Sequence, residues 1–157
     1  MHIFQFFNQY LSKELAVLLT AAFPFVELRG AIPLAMALGL PAYKAFILSV
    51  IGNILPIIPL LLLLDPITEF LSRRFRIFAR FFDWLHARTI RKSDKVEKYG
   101  ALGLIIFTAV PLPTTGAWTA CVAAILFHIS FYRAFFAISG GVLIAGILVT
   151  LISSGVF

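Results

Sequence analysis

Charge is scarce in this sequence: of 157 residues, 13% are Asp, Glu, Lys or Arg, against 61% hydrophobic. Soluble domains carry about 25% charged and 45–50% apolar residues, so this chain cannot hide its apolar surface by folding alone in water. Its single cysteine, Cys121, excludes an intramolecular disulfide and, within an apolar run, reads as a packing residue. The three histidines, His2, His86 and His128, pair with no Ser, Cys or Asp at a catalytic spacing. No cluster has metal-ligand spacing either, so no catalytic residue, metal or cofactor is expected, and the protein is not expected to be an enzyme. No basic n-region and no small-residue cleavage site point to a signal peptide. With a mean hydropathy of +1.01, the chain is read as an integral membrane protein of one domain.

The charge present is unevenly placed. Residues 72–98 hold nine basic side chains against three acidic ones, so the whole net charge of +6 lies there. A short basic loop between apolar segments stays in the cytoplasm, which places residues 65–98 on that side of the cell membrane and makes nucleic acid an unneeded partner. Ile77, Phe78, Phe81, Phe82, Trp84 and Leu85 share one half of a helical wheel, with Arg73, Arg76, Arg80, Asp83 and Arg91 on the other. Such a helix is expected to lie in the interface, its basic residues within 73–98 facing anionic headgroups.

A spanning helix needs about 20 apolar residues. Ala45–Leu64 and Ala134–Ile152 meet that length. Leu15–Phe23 and Ala31–Leu40 flank Pro24 and Glu27-Leu28-Arg29-Gly30, while Ala101–Val110 and Ala117–Phe127 flank Pro111-Leu112-Pro113-Thr114-Thr115-Gly116. Each short piece makes roughly 15 Å of helix, half the hydrocarbon layer. Each pair therefore reads as a re-entrant hairpin with its tip near the midplane; the rival reading joins each pair into a kinked span, giving four crossings.

The halves resemble each other. Tyr43-Lys44-Ala45-Phe46 returns as Tyr132-Arg133-Ala134-Phe135, 89 residues later, and Gly52 returns as Gly141. Gly30-Ala31 matches Gly116-Ala117 at an offset of 86. The expected organisation is repeat 1 at about 14–64, the connector 65–98 and repeat 2 at about 99–153. With hairpins, one crossing separates Gly52 from Gly141, so the repeats are inverted, a pattern characteristic of secondary transporters.

Glu27-Leu28-Arg29-Gly30-Ala31-Ile32-Pro33, with Val110-Pro111-Leu112-Pro113 and Thr115-Gly116-Ala117-Trp118-Thr119, resembles the small multidrug export protein family, as do Ile51-Gly52-Asn53 and Lys98-Tyr99-Gly100. The sequence departs from it at Thr114 and Ala120, where glycine is expected. That family is distantly similar to the DedA membrane proteins. The resemblance implies inverted re-entrant repeats and transport, in some relatives of polyprenyl-phosphate lipids.

Charge at the midplane costs at least about 2.5–3.5 kcal/mol per residue and marks substrate or proton paths. Glu27 would feel burial, which disfavours its charge, and Arg29, which favours it; a carboxyl so placed can load and release a proton. The planar fork of Arg29 suits phosphate. If second half-helices begin at Gly30 and near Thr115-Gly116, their free N–H groups and positive dipole ends converge on an anion site. The candidate site is therefore Glu27, Arg29, Gly30, Asn53, Pro111, Pro113, Thr114, Thr115, Gly116 and Trp118. Structural roles compete at each: an interfacial ion pair for Glu27 and Arg29, plain caps for Thr114 and Thr115, packing for Trp118, inter-helix bonding for Asn53. The reading is a proton-coupled transporter for an amphipathic substrate with an anionic head, a lipid phosphate or a small drug-like compound. Two spans enclose little, which points to a homodimer. The alternative is a non-transporting scaffold or assembly factor.

Overall fold

Local stop signals cut the first apolar stretch as the sequence suggests. In a computed structural model describing residues 12–90, 93–110 and 115–155, the Ser12 hydroxyl accepts from the Leu15 amide at 3.3 Å and starts α1 (Lys13–Ala22). Proline at 24, which lacks a donor, follows its end. The next helix, α2 (Glu27–Ala37), ends at Gly39 with φ +84°, the Leu40 amide reaching back to the Ala35 carbonyl at 3.0 Å. Then come α3 (Ala42–Ile54) and α4 (Ile57–Arg74), which run on through Leu55 and Pro56, both helical, as one apolar stretch over residues 42–74. At 1.5 Å per residue it is about 50 Å long, more than a hydrocarbon layer. After α5 (Arg76–Ile90) come α6 (Ser93–Ala109), α7 (Ala117–Leu126) and α8 (Phe131–Ser153). No strand occurs among the described residues.

α8 is the second helix long and apolar enough to cross a membrane. Both long helices turn apolar side chains outward, among them Ile47, Ile51, Ile58 and Leu62, and Phe136, Leu143 and Ile147. Their inner faces use small residues: Ala45, Gly52, Ala134, Ala137, Gly141 and Ala145 are buried. On α5, Ile77, Phe78, Phe81 and Trp84 are exposed and cover no core.

The remaining helices of each half fold back in pairs, α1 with α2 and α6 with α7, although α6, at 17 residues, is longer than the half-length piece the sequence suggests. Lys13 Nζ, at the start of α1, donates to the Leu38 carbonyl just past α2, at 2.9 Å. α3 packs against both members of that pair, and α8 against α6 and α7. In each half the long helix offers one glycine to the first member of the pair. Gly52 lies against the Leu18 carbonyl and Ala21, and Gly141 against the Ile105 carbonyl and Thr108. The second short helices also end alike. His128, with φ +53°, stands where Gly39 stands, and the Ile129 amide reaches the Ala124 carbonyl at 2.9 Å.

α3 and α8 run antiparallel. Tyr43, Phe46 and Ile47 share a groove with Ile147, Thr150 and Leu151, whereas Phe46 and Val50 meet the earlier Gly146. The end of α8 therefore lies at the start of α3, while His128, past α7, lies near Asp65 and Glu69 at the other end of the 42–74 stretch.

One expectation needs correction. α2 starts at Glu27, not at Gly30, and the Gly30 amide is already bonded to the Val26 carbonyl at 3.1 Å. Gly30-Ala31 and Gly116-Ala117 are thus not equivalents: the offset of 89 set by the helix ends puts Glu27, not Gly30, opposite Gly116. The sequence match misled because the second break is the longer one.

Candidate functional site

The two breaks meet. Glu27 opens α2 in the left-handed region, φ +50°, which a carboxylate-bearing residue adopts only at a cost. The side chain thereby leaves its own helix and points at α7. Its carboxylate accepts the backbone N–H groups of Ala117 and Trp118, the first two residues of that helix. Gly116 makes the approach possible, because a Cβ there would overlap both carboxylate oxygens. Glu27 is 4% exposed.

Arg29 reaches the other side of the same break. Its Nη2 donates to the carbonyls of Val110 at 2.8 Å, Thr108 at 3.4 Å and Thr115. Nη1 donates to Glu27 Oε2 at 3.5 Å. The buried Nε has no partner. The electrostatics are complementary: the carboxylate lies on the positive, N-terminal end of α7 and the guanidinium on the negative, C-terminal end of α6. Both helix ends exposed by the second break are thus answered by charges from the first.

Further bonds close the junction. Trp118 Nε1 donates to the Ala22 carbonyl, at the end of α1, at 3.3 Å. Thr115 Oγ1 turns back to the Val110 carbonyl at 2.7 Å, and the Gly116 amide donates to Thr119 Oγ1 at 2.9 Å. Thr119 thus serves the Gly116 amide just ahead of α7, and Glu27 the first two amides of the helix.

The structure brings Glu27, Arg29, Thr115, Gly116 and Trp118 together. Gly30 lies within α2, where a Cβ would strike Val26. Asn53 is buried on α3 and its Oδ1 has no partner. Pro111, Pro113 and Thr114 lie outside the described residues. The expected pair of open helix N-termini is modified: the Glu27 and Gly30 amides are bonded to the Phe23 and Val26 carbonyls, and the Glu27 carboxylate occupies the Ala117 and Trp118 amides of α7. Sequence reasoning missed Thr119, for which the spacing Gly116-x-x-Thr119 at a helix start is a signal. It also missed the carbonyls of Ala22 and Thr108, which no sequence pattern marks. Among the described residues no group of three His, Cys, Asp or Glu could hold a metal ion.

Residues 27–148 match the model of the family described as "Putative small multi-drug export protein". Comparisons with curated proteins and with solved structures yield no match.

Proposed function

Because the chain belongs to the small multidrug export protein family, we propose that this membrane protein is a proton-coupled secondary transporter for amphipathic substrates with an anionic head. A lipid phosphate of the polyprenyl type and a small drug-like acid both fit that description. In this reading the paired helices are re-entrant hairpins, the repeats are inverted, and the basic connector is cytoplasmic in a multi-pass protein of the cell membrane. The opposite courses of α3 and α8, which begin with the same Tyr-basic-Ala-Phe pattern, support the inversion. The short helices of 10 and 11 residues in the first pair support a tip at half the membrane's depth.

The observation that carries the proposal is the Glu27 carboxylate on the Ala117 and Trp118 amides beside Arg29. While ionised, Glu27 fills the anion site of α7 with the protein's own charge. Protonation removes that charge and weakens its hold on amides and guanidinium alike. The amides, together with the unpartnered Arg29 Nε, then receive a phosphate or carboxylate from the substrate. Proton and anion thus load at one place, and release of the proton expels the anion. No step requires a nucleophile, and the protein is read as a carrier rather than an enzyme.

Reconstitution into liposomes with an imposed pH gradient tests this, with farnesyl phosphate and ethidium as probes. Gradient-driven flux of the phosphate, lost in Glu27→Gln and Arg29→Ala, is the expected result; flux indifferent to both substitutions overturns the mechanism. A scaffold is the second reading, favoured by the bonds with which Glu27, Arg29 and Trp118 lock the breaks together. It predicts no gradient-dependent flux of either probe.

A further inference from the structure

The buried face of α3 carries two polar oxygens without a hydrogen-bond partner among the described residues. Ser49 is fully buried and Asn53 is 2% exposed, and neither Ser49 Oγ nor Asn53 Oδ1 has a hydrogen-bond partner. Other helical hydroxyls return to the carbonyl four residues back: Thr20 to Ala16, Thr68 to Leu64, Ser72 to Thr68, Thr108 to Leu104 and Thr150 to Gly146, all at 2.7–2.9 Å. That bond is the ordinary way to bury a hydroxyl in a helix. Ser49 forgoes it, as does the half-buried Ser139 of α8. A dry seam between helices would join these atoms to a facing group, and among the described residues they are joined to none. Buried polar atoms left open by the protein are the usual partners of internal water.

Their placement gives the water a course. Four residues apart, Ser49 and Asn53 share a helix face with about 5–6 Å between their Cβ atoms. Ala45, one turn nearer the start of α3, is fully buried and leaves only a methyl on that face. Beyond it Lys44 pairs with Glu14 at 3.8 Å among exposed groups. In the other direction Gly52 lies against Ala21, and the next residue, Ala22, accepts the indole of Trp118, whose amide holds Glu27. Asn53 is therefore level with the meeting point of the breaks.

We propose that the Ala45–Ser49–Asn53 face of α3 lines a water passage from the Lys44 end of the helix to Glu27, closed in this structure and wetted when Glu27 exchanges its proton. It opens at the end opposite the basic connector. Asn53 and Ser49 are positioning residues, holding water rather than protons. The proposal rests on the reading of Glu27 as the proton carrier, but its test does not require transport.

In the full chain with Cys121→Ala as background, Ser49→Cys and Asn53→Cys are reconstituted in liposomes and treated with the impermeant cationic thiol reagent MTSET. Because the thiolate is the reacting form, water must reach the sulfur. Both thiols are expected to react within about tenfold of the rate of Lys44→Cys at the exposed mouth, and Ile47→Cys, on the outer apolar face, about a hundredfold more slowly. Adding Ser49→Leu is expected to plug the passage and silence Asn53→Cys. Rates at 49 and 53 as low as at Ile47→Cys overturn the proposal. Ser49→Cys is nearly isosteric, so it carries the test even where Asn53→Cys fails to accumulate. Labelling without gradient-driven flux would leave the passage standing and remove the transporter; flux without labelling would do the reverse.

Discussion

At the scale of single residues, the junction depends on one absent side chain. A Cβ at position 116 would occupy the space of both Glu27 carboxylate oxygens, so Gly116→Ala must push the carboxylate off the Ala117 and Trp118 amides. Buried donors and a buried charge lose their partners together, at a cost of about 1–3 kcal/mol. Thermal unfolding in detergent, followed by tryptophan fluorescence, should show Gly116→Ala melting below wild type. Gly140→Ala is the control, because nothing lies within 4 Å of a Cβ there. In a helix interior that change is worth about 0.5–1 kcal/mol in favour of alanine, so its melting point should stay level or rise. Equal melting of Gly116→Ala and wild type would place Glu27 elsewhere. Glu27 and Arg29 were legible as site residues because charge in an apolar run demands a partner. Their partners were not legible: they are backbone carbonyls and amides about 80–90 positions away, and every residue has those.

At the scale of helices, the recurring unit is a long helix holding a short one through a glycine. Gly52→Ala would drive a methyl into the Leu18 carbonyl, and Gly141→Ala would bring one to 2.8 Å from the Ile105 carbonyl. Backbone cannot yield as a flexible side chain does, so each long helix must shift from its partner. Overpacking of this kind costs about 1–3 kcal/mol, and both variants should melt below wild type by similar amounts. Enlarging either glycine without penalty would break the equivalence of the halves. The offset of 89 that pairs these glycines was readable because the stretch from the helix start, at Ala42 or Phe131, to the glycine has the same length in both halves. The registration of the breaks was not readable. Helix starts depend on where capping groups arrive from, and the cap of α7 comes from Glu27, in the other half of the chain.

At the scale of the whole molecule, the antiparallel course of α3 and α8 separates the end of α8 from the connector. Tyr43 and Leu151 share one groove, so the end of α8 lies with the start of the 42–74 stretch and away from Arg74, where the connector leaves. In the proposed reading, with re-entrant hairpins, that geometry becomes opposite faces of the membrane, the connector inside and the end of α8 outside. Four complete crossings would put both on one face. With Cys121→Ala as background, Arg76→Cys and Ser154→Cys, both at exposed positions, report the two ends. An impermeant maleimide applied to intact spheroplasts should label Ser154→Cys alone, and applied to inverted vesicles should label Arg76→Cys alone. The basic side chains at 73, 74, 76 and 80 require the second half of that result, since moving them outward opposes the charge bias that orients such loops. Labelling of both thiols in inverted vesicles would demand that each short pair cross the bilayer completely. The Glu27 junction would then have no reason to lie at half depth, and its carboxylate would be an interfacial tie between spans instead of a proton carrier.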